Sequence, residues 1–313
     1  MNNDISNVSN LYIDSDLGLD YNKIQSILFK LLKFKPMNYN YQNTYTKEDV
    51  ITITSDFFKS LGDDYFNFYN SIIKSNRITI DYGIESGHKD EKITVNLECS
   101  LHDVYILIHE IMHEYNIDSD NIITDSFTGE IIPITFEKIV SKYLNSTKHN
   151  KFDILAFDKY RINNTYNAIV DSLFEIMLII VRKNYGELTF DNIKKYIKSN
   201  PCEIWNNLSD EELISSINNI SKYKDMYLYN LRYVIGQLLS VKLSNNNDDD
   251  IQLADKLIKF CKEKLDNNTM EKRLKLLDID INDLSGLLNE YELYYSSIKK
   301  KTLTELSNII QQS

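Results

Sequence analysis

The stretch Ile106-Leu107-Ile108-His109-Glu110-Ile111-Met112-His113 governs the reading of this chain. Together with Val104, its apolar residues cover most of a helix's circumference, so the pattern predicts a helix buried on nearly every side. Two imidazoles and a carboxylate on such a helix need partners, and a metal ion satisfies them economically. One helical turn separates His109 from His113, so both ring nitrogens can reach a single ion, with Glu110 beside the first of them. Chance is a poor explanation: five histidines and 46 acidic residues in 313 give about 0.01 accidental His-Glu-x-x-His matches.

Working outward, Ser100 and Asp103 have the spacing of a capping box that opens this helix. Before it the hydrophobic period falls from 3.6 to 2. Ile78, Ile80 and Tyr82 alternate with polar neighbours, as do Ile93, Val95 and Leu97, with Ser86-Gly87-His88-Lys89-Asp90 between them. The simplest expectation is a two-stranded antiparallel element. Further upstream, Asp20 can cap a helix with the stripe Ile24, Ile27, Leu28, Leu31 and Leu32 that ends before Pro36. Thr46 with Asp49 forms a capping box for a helix through Leu61, closed by Gly62, and Tyr65 to Ile73 form the next stripe.

Downstream, Phe127 to Leu144 reads as helix, with a kink or a start at Pro133. Further helices are expected at roughly 163–184, 189–198, 210–221, 224–243, 250–265 and 281–309. Asn245 to Asp250 reads as an exposed loop, and residues 1–15 as a loose polar terminus. Eight glycines and three prolines in the chain favour long helices over a turn-rich sheet fold. The expectation is a mostly α single domain spanning 1–313, with a small antiparallel β element beside the histidine helix.

A net charge of −11, spread along the chain, disfavours a nucleic-acid partner. Cys99, Cys202 and Cys261 match no ligand spacing, and the odd count without a leader pattern points to a reducing, cytoplasmic setting. No uninterrupted apolar run reaches the ~18 residues of a membrane span, so a membrane partner is not expected either.

A catalytic zinc ion takes three protein ligands and keeps one position open. His109 and His113 supply two. Glu130 and Glu137, seven residues apart and so on one helix face, are the candidates for the third, either one binding while the other orients a histidine. A metal-activated water attacking a peptide carbonyl would then lose its proton to Glu110.

Beyond the motif, the chain resembles the oligoendopeptidase F and thimet oligopeptidase family of zinc peptidases. The likeness is carried by Phe57-Phe58-Lys59-Ser60-Leu61-Gly62-Asp63-Asp64-Tyr65, Ile80-Asp81, Ser86-Gly87, Asn96, Ser100-Leu101-His102-Asp103-Val104 and Leu107-Ile108-His109-Glu110. Glu130-Ile131-Ile132-Pro133-Ile134-Thr135-Phe136-Glu137 is similar to the family's third-ligand segment. By that resemblance Glu130 is the ligand and Glu137 its outer partner. Tyr227-Leu228-Tyr229-Asn230-Leu231-Arg232-Tyr233-Val234-Ile235-Gly236 resembles the segment that donates hydrogen bonds in the transition state, which makes Tyr229 and Tyr233 candidates to serve a developing oxyanion. The weaker likeness spans roughly residues 15 to 300, and the strong motifs cover about 40 to 140.

The resemblance implies a zincin-like catalytic domain holding one Zn2+ and cleaving internal bonds of oligopeptides, with a sheet edge, here 91–98, pairing the substrate backbone as an added strand. It also implies a more open cleft, since the family's large helical N-terminal region has no counterpart in the sequence. Departures stand at Met112 for a glycine, Asn116 and Lys222 for histidines, Leu231 for a tyrosine, and a shortened interval from His113 to Glu130. Those losses define the alternative, a zinc-bound but catalytically weak homologue that binds peptides or a protein partner. The sequence leaves substrate preference and oligomeric state open.

Overall fold

The structure, a computed structural model, describes residues 20–89, 92–116, 129–220, 228–245, 249–263, 270–280 and 283–312. The elements run α1 Tyr21–Leu31, α2 Lys47–Leu61, α3 Asp63–Lys74, β1 Ile78–Asp81, β2 Gly87–Lys89, β3 Lys92–Asn96 and α4 His102–Met112. Then follow α5 Ile131–Ser146, α6 Lys151–Tyr185, α7 Phe190–Ser199, α8 Asp210–Ile220, α9 Tyr229–Ser244, α10 Asp250–Lys262, α11 Met270–Lys275 and α12 Leu284–Gln312. The mostly α expectation holds. Two compact units divide the chain: residues 1–35 with 164–234, and residues 36–163 with 235–313.

In the first unit Asp20 caps α1 as expected, accepting from the Lys23 N–H at 3.0 Å. Trp205 forms the aromatic centre, with Phe29 and Phe174 edge-on at 5.9 and 6.0 Å. The Glu175 carboxyl is fully buried and accepts from the Asn230 N–H and Nδ2 at 3.2 and 3.0 Å. Burial pushes it up to about 8, against an ordinary 4.5, despite those donors. The folded protein therefore holds a proton that the unfolded chain releases, and stability from this group, full below about 4.5, is lost as pH rises through about 8. Between those limits the loss is on the order of 1 kcal/mol per pH unit. Urea unfolding at pH 5 and pH 8 should show this dependence in the wild type and a flatter one in Glu175→Gln; equal slopes would contradict it.

The second unit contains the histidine helix. Thr46 and Asp49 form the expected capping box, the Thr46 N–H donating to Asp49 at 2.8 Å and the Asp49 N–H to Thr46 Oγ1 at 3.2 Å. Helix α4 packs on α5, α2 and β3, and of its 11 residues only Ile106 is not buried. The entrance to α4 differs from the expected box in one half. Asp103 does accept the Ser100 N–H at 3.3 Å, and also the Glu98 N–H at 3.1 Å, but Ser100 Oγ takes the His102 N–H instead of that of Asp103.

The sheet corrects the antiparallel expectation. Its order is β1-β3-β2, with β1 parallel to β3 through Ile78↔Ile93 and Ile80↔Val95, and β2 antiparallel to β3. The cause lies in the connector: Gly87–Lys89 is itself a strand, so the chain crosses over before β3 begins. Ser86 Oγ accepts the Asn96 N–H at 2.8 Å and holds that crossover. Consequently β3 is the central strand, and the edge expected at 91–98 belongs instead to β1 and β2.

Helix α6 begins at Lys151, twelve residues before the expected start. Its Asp153 carboxylate accepts the N–H groups of Gln42 and Asn43. By length and apolarity α6 could cross a bilayer, yet 72% of its most apolar stretch is buried inside the protein, as a core helix would be.

Candidate metal centre

Helix α4 gives way to a 3-10 turn at His113–Asn116, and the Arg77–Glu114 ion pair at 2.8 Å ties that turn to the residues entering β1. The two imidazoles remain one turn apart, their rings 4.9 Å between centroids and nearly perpendicular, with Nε2 atoms 3.2 Å from each other. Opposite them, Glu130 is the residue from which α5 starts, its carbonyl accepting the Ile134 N–H at 3.2 Å. Pro133 therefore marks a helix start, in the first turn, where its missing N–H costs no bond.

Both candidate carboxylates reach His109, from opposite sides of its ring. Glu137 Oε1 lies 2.7 Å from Nδ1, and Glu130 Oε2 lies 3.3 Å from Nε2. Glu130 Oε1 is also 3.9 Å from His113 Nε2. The structure thus separates the two roles that residue spacing alone left interchangeable: Glu130 converges with both Nε2 atoms, and Glu137 does not. His109, His113 and Glu130 together can hold one ion.

The donor set fits a cation. An ionised carboxylate only accepts, so the Nδ1 proton of His109 points at Glu137 and its Nε2 is turned to Glu130. Glu130 is 1% exposed, so the two Nε2 atoms and this carboxylate meet in a pocket of low dielectric, where a cation would bind all three. The Nε2-to-Nε2 separation of 3.2 Å and the His109 Nε2 to Glu130 Oε2 separation of 3.3 Å also match the ligand-to-ligand edge of about 3.3 Å in a tetrahedral centre with bonds of roughly 2.0–2.1 Å. Glu110, next along α4, is buried at 8% exposure.

Arg161 is the functional residue that the sequence reading missed. Its guanidinium pairs with both oxygens of Glu137, through Nη2 to Oε1 and Nε to Oε2. Nη2 also stands 3.4 Å from His109 Nδ1, but a protonated Nδ1 cannot accept from it, so Glu137 is the partner. A lone arginine in a run of polar residues gives no signal of this role.

A second group, Glu98, His102 and Asp103, has metal-binding residue types but not the chemistry. The Asp103 oxygens are committed to backbone N–H groups at the positive end of α4, where a cation is disfavoured. Burial holds the His102 imidazole down near 4 and pushes Asp103 up to about 6, so His102 is neutral at pH 7, packed among Tyr41, Phe157 and Tyr160.

Tyr229 and Tyr233 lie in the first unit, on the opening turns of α9, with their hydroxyls 3.0 Å apart. Arg232 lies over the Tyr229 ring at 4.1 Å and donates to the Tyr233 hydroxyl at 3.1 Å. Leu231, where the resemblance expects a tyrosine, is a buried apolar residue, while Lys222 lies outside the described residues.

Gly236, also on α9 but in the second unit, lies against Glu130, the candidate third ligand. A Cβ there would lie 2.9 Å from Glu130 Cβ, 2.9 Å from Ile134 Cδ1 and 3.0 Å from the Glu130 carbonyl oxygen. Gly236→Ala should therefore displace Glu130, costing about 1–3 kcal/mol of stability and weakening zinc affinity together. Thermal melts and chelator competition check it; a variant unchanged in both would contradict the contact.

This is a mostly α fold with a small sheet beside the histidine helix. Two solved structures share it. One, described as an oligoendopeptidase F from Bacillus anthracis, aligns with a TM-score of 0.55 at 14% identity, covering 93% of this chain and 58% of that one. The other, PZ peptidase A with an inhibitor, aligns with a TM-score of 0.60 at 9% identity, covering 90% and 57%. At such identities the likeness is one of fold, and this chain spans a little over half the length of either. No family model and no curated protein matches the sequence.

Proposed function

We propose that the protein is a zinc-dependent metalloendopeptidase of oligopeptides, acting in the cytoplasm with one Zn2+ held by His109, His113 and Glu130. The observation that carries this reading is the convergence of His109 Nε2, His113 Nε2 and the Glu130 carboxylate, with Glu110 buried one residue from the first ligand. When bound, zinc supplies Lewis acidity, polarising the scissile carbonyl and making water nucleophilic at neutral pH. The Glu110 carboxylate accepts a proton from the attacking water and returns it to the leaving amine. Glu137 holds the His109 ring so that Nε2 faces Glu130. Tyr229 and Tyr233 are the proposed hydroxyl donors to the oxyanion, on the resemblance alone.

One observation favours a second reading, a zinc-bound, weakly catalytic binder of peptides: the apolar Leu231 is buried where the resemblance expects a hydroxyl donor. A quenched peptide library separates the two. Zinc-loaded protein should cleave it, and chelated protein should not. Zinc retention without turnover would favour the binding reading, and failure to bind zinc would remove both.

A further inference from the structure

We propose that Arg161 is the positioning residue of the metal centre: it fixes Glu137 as the hydrogen-bond acceptor of His109 and so holds the Nε2 of that ring toward Glu130. The inference rests on the zinc-peptidase reading above. Glu130 and Glu137 are both buried on one face at the start of α5, and both approach His109. By residue type either could bind the cation. Position separates them, Glu130 on the Nε2 side of the ring and Glu137 on the Nδ1 side, and Arg161 fixes the second of these, its planar fork taking both Glu137 oxygens while leaving Oε1 within 2.7 Å of His109 Nδ1.

The fork is itself held. Arg161 is 6% exposed, and its guanidinium carbon lies 5.7 Å from the Phe157 ring centre and 6.0 Å from that of Tyr160, both on α6. Any rotation of Glu137 away from His109 would break both of its contacts to this buried guanidinium. A lysine in this place would offer a point charge without the planar fork that matches both carboxylate oxygens, so the geometry favours arginine. The neutral Arg161–Glu137 pair also leaves Glu130 as the anion that faces the cation.

The test measures zinc affinity by chelator competition, the absorption spectrum of the Co2+-substituted protein, and melting of the metal-free protein. Arg161→Met and Arg161→Lys should each lower zinc affinity, by roughly 10–100-fold for the methionine, and change the Co2+ bands as the His109 ring loses its fixed orientation. Glu137→Gln in the Arg161→Met background should bring no further loss of affinity beyond Glu137→Gln alone, because both act through one carboxylate. Wild-type affinity and an unchanged Co2+ spectrum in the Arg161 variants, with only a lower melting temperature, would overturn the proposal and reduce Arg161 to a structural ion pair. If Arg161→Met does not fold, Arg161→Lys alone decides by the same readouts. Failure of the wild type to bind zinc would instead overturn the underlying peptidase reading.

Discussion

Glu110→Gln should leave the protein folded and its zinc content unchanged while peptide hydrolysis falls by about 10²–10⁴-fold, the usual contribution of a positioned base. The separation of effects follows from position. Glu110 is absent from the converging set His109, His113 and Glu130, so the amide exchange removes no ligand. Glutamine also matches the volume of the buried glutamate, so the packing of α4 on α5 should hold. The loss should appear in kcat with little change in KM, because the proton moves only in the transition state. Parallel zinc analysis and steady-state kinetics check this, and equal turnover in the two proteins would remove Glu110 as the base.

Glu130→Gln should abolish tight zinc binding, with a loss larger than the 10–100-fold typical of outer partners. The metal-free protein should melt much as the wild type does, because glutamine keeps the volume of the 1%-exposed glutamate. Zinc at 100 times its Kd stabilises a wild-type protein by about 2.7 kcal/mol, and that increment should vanish in the variant. Melting curves with and without zinc read both effects. A variant that kept the zinc-induced shift would show that Glu137, or another group, is the third ligand.

The histidine helix was legible because its apolar residues surround it on nearly every side, which forces burial whatever packs against it. Thr46 and Asp49 were legible because a capping box is decided within four residues. Features that depend on distant partners were not. The strands at Ile78 and Ile93 have the right period for pairing, but their direction was set by the intervening Gly87–Lys89 strand, which carries no hydrophobic alternation. The first turns of α6 were hidden for a related reason: Asp153, Asp158, Lys159 and Arg161 are buried charged residues interleaved with Ile154, Leu155, Phe157 and Ile162, so no polar face stands apart from an apolar one there. Arg161 in particular acquires its role only when α6 lies beside α5, a contact no local pattern encodes.

Zinc K-edge absorption on the zinc-loaded wild-type protein tests the proposed centre most directly. One ion per chain, with two imidazole nitrogens and carboxylate oxygen at about 2.0–2.1 Å, is the predicted result. A shell containing cysteine sulfur, or no ion retained at micromolar zinc, would contradict the assignment of His109, His113 and Glu130.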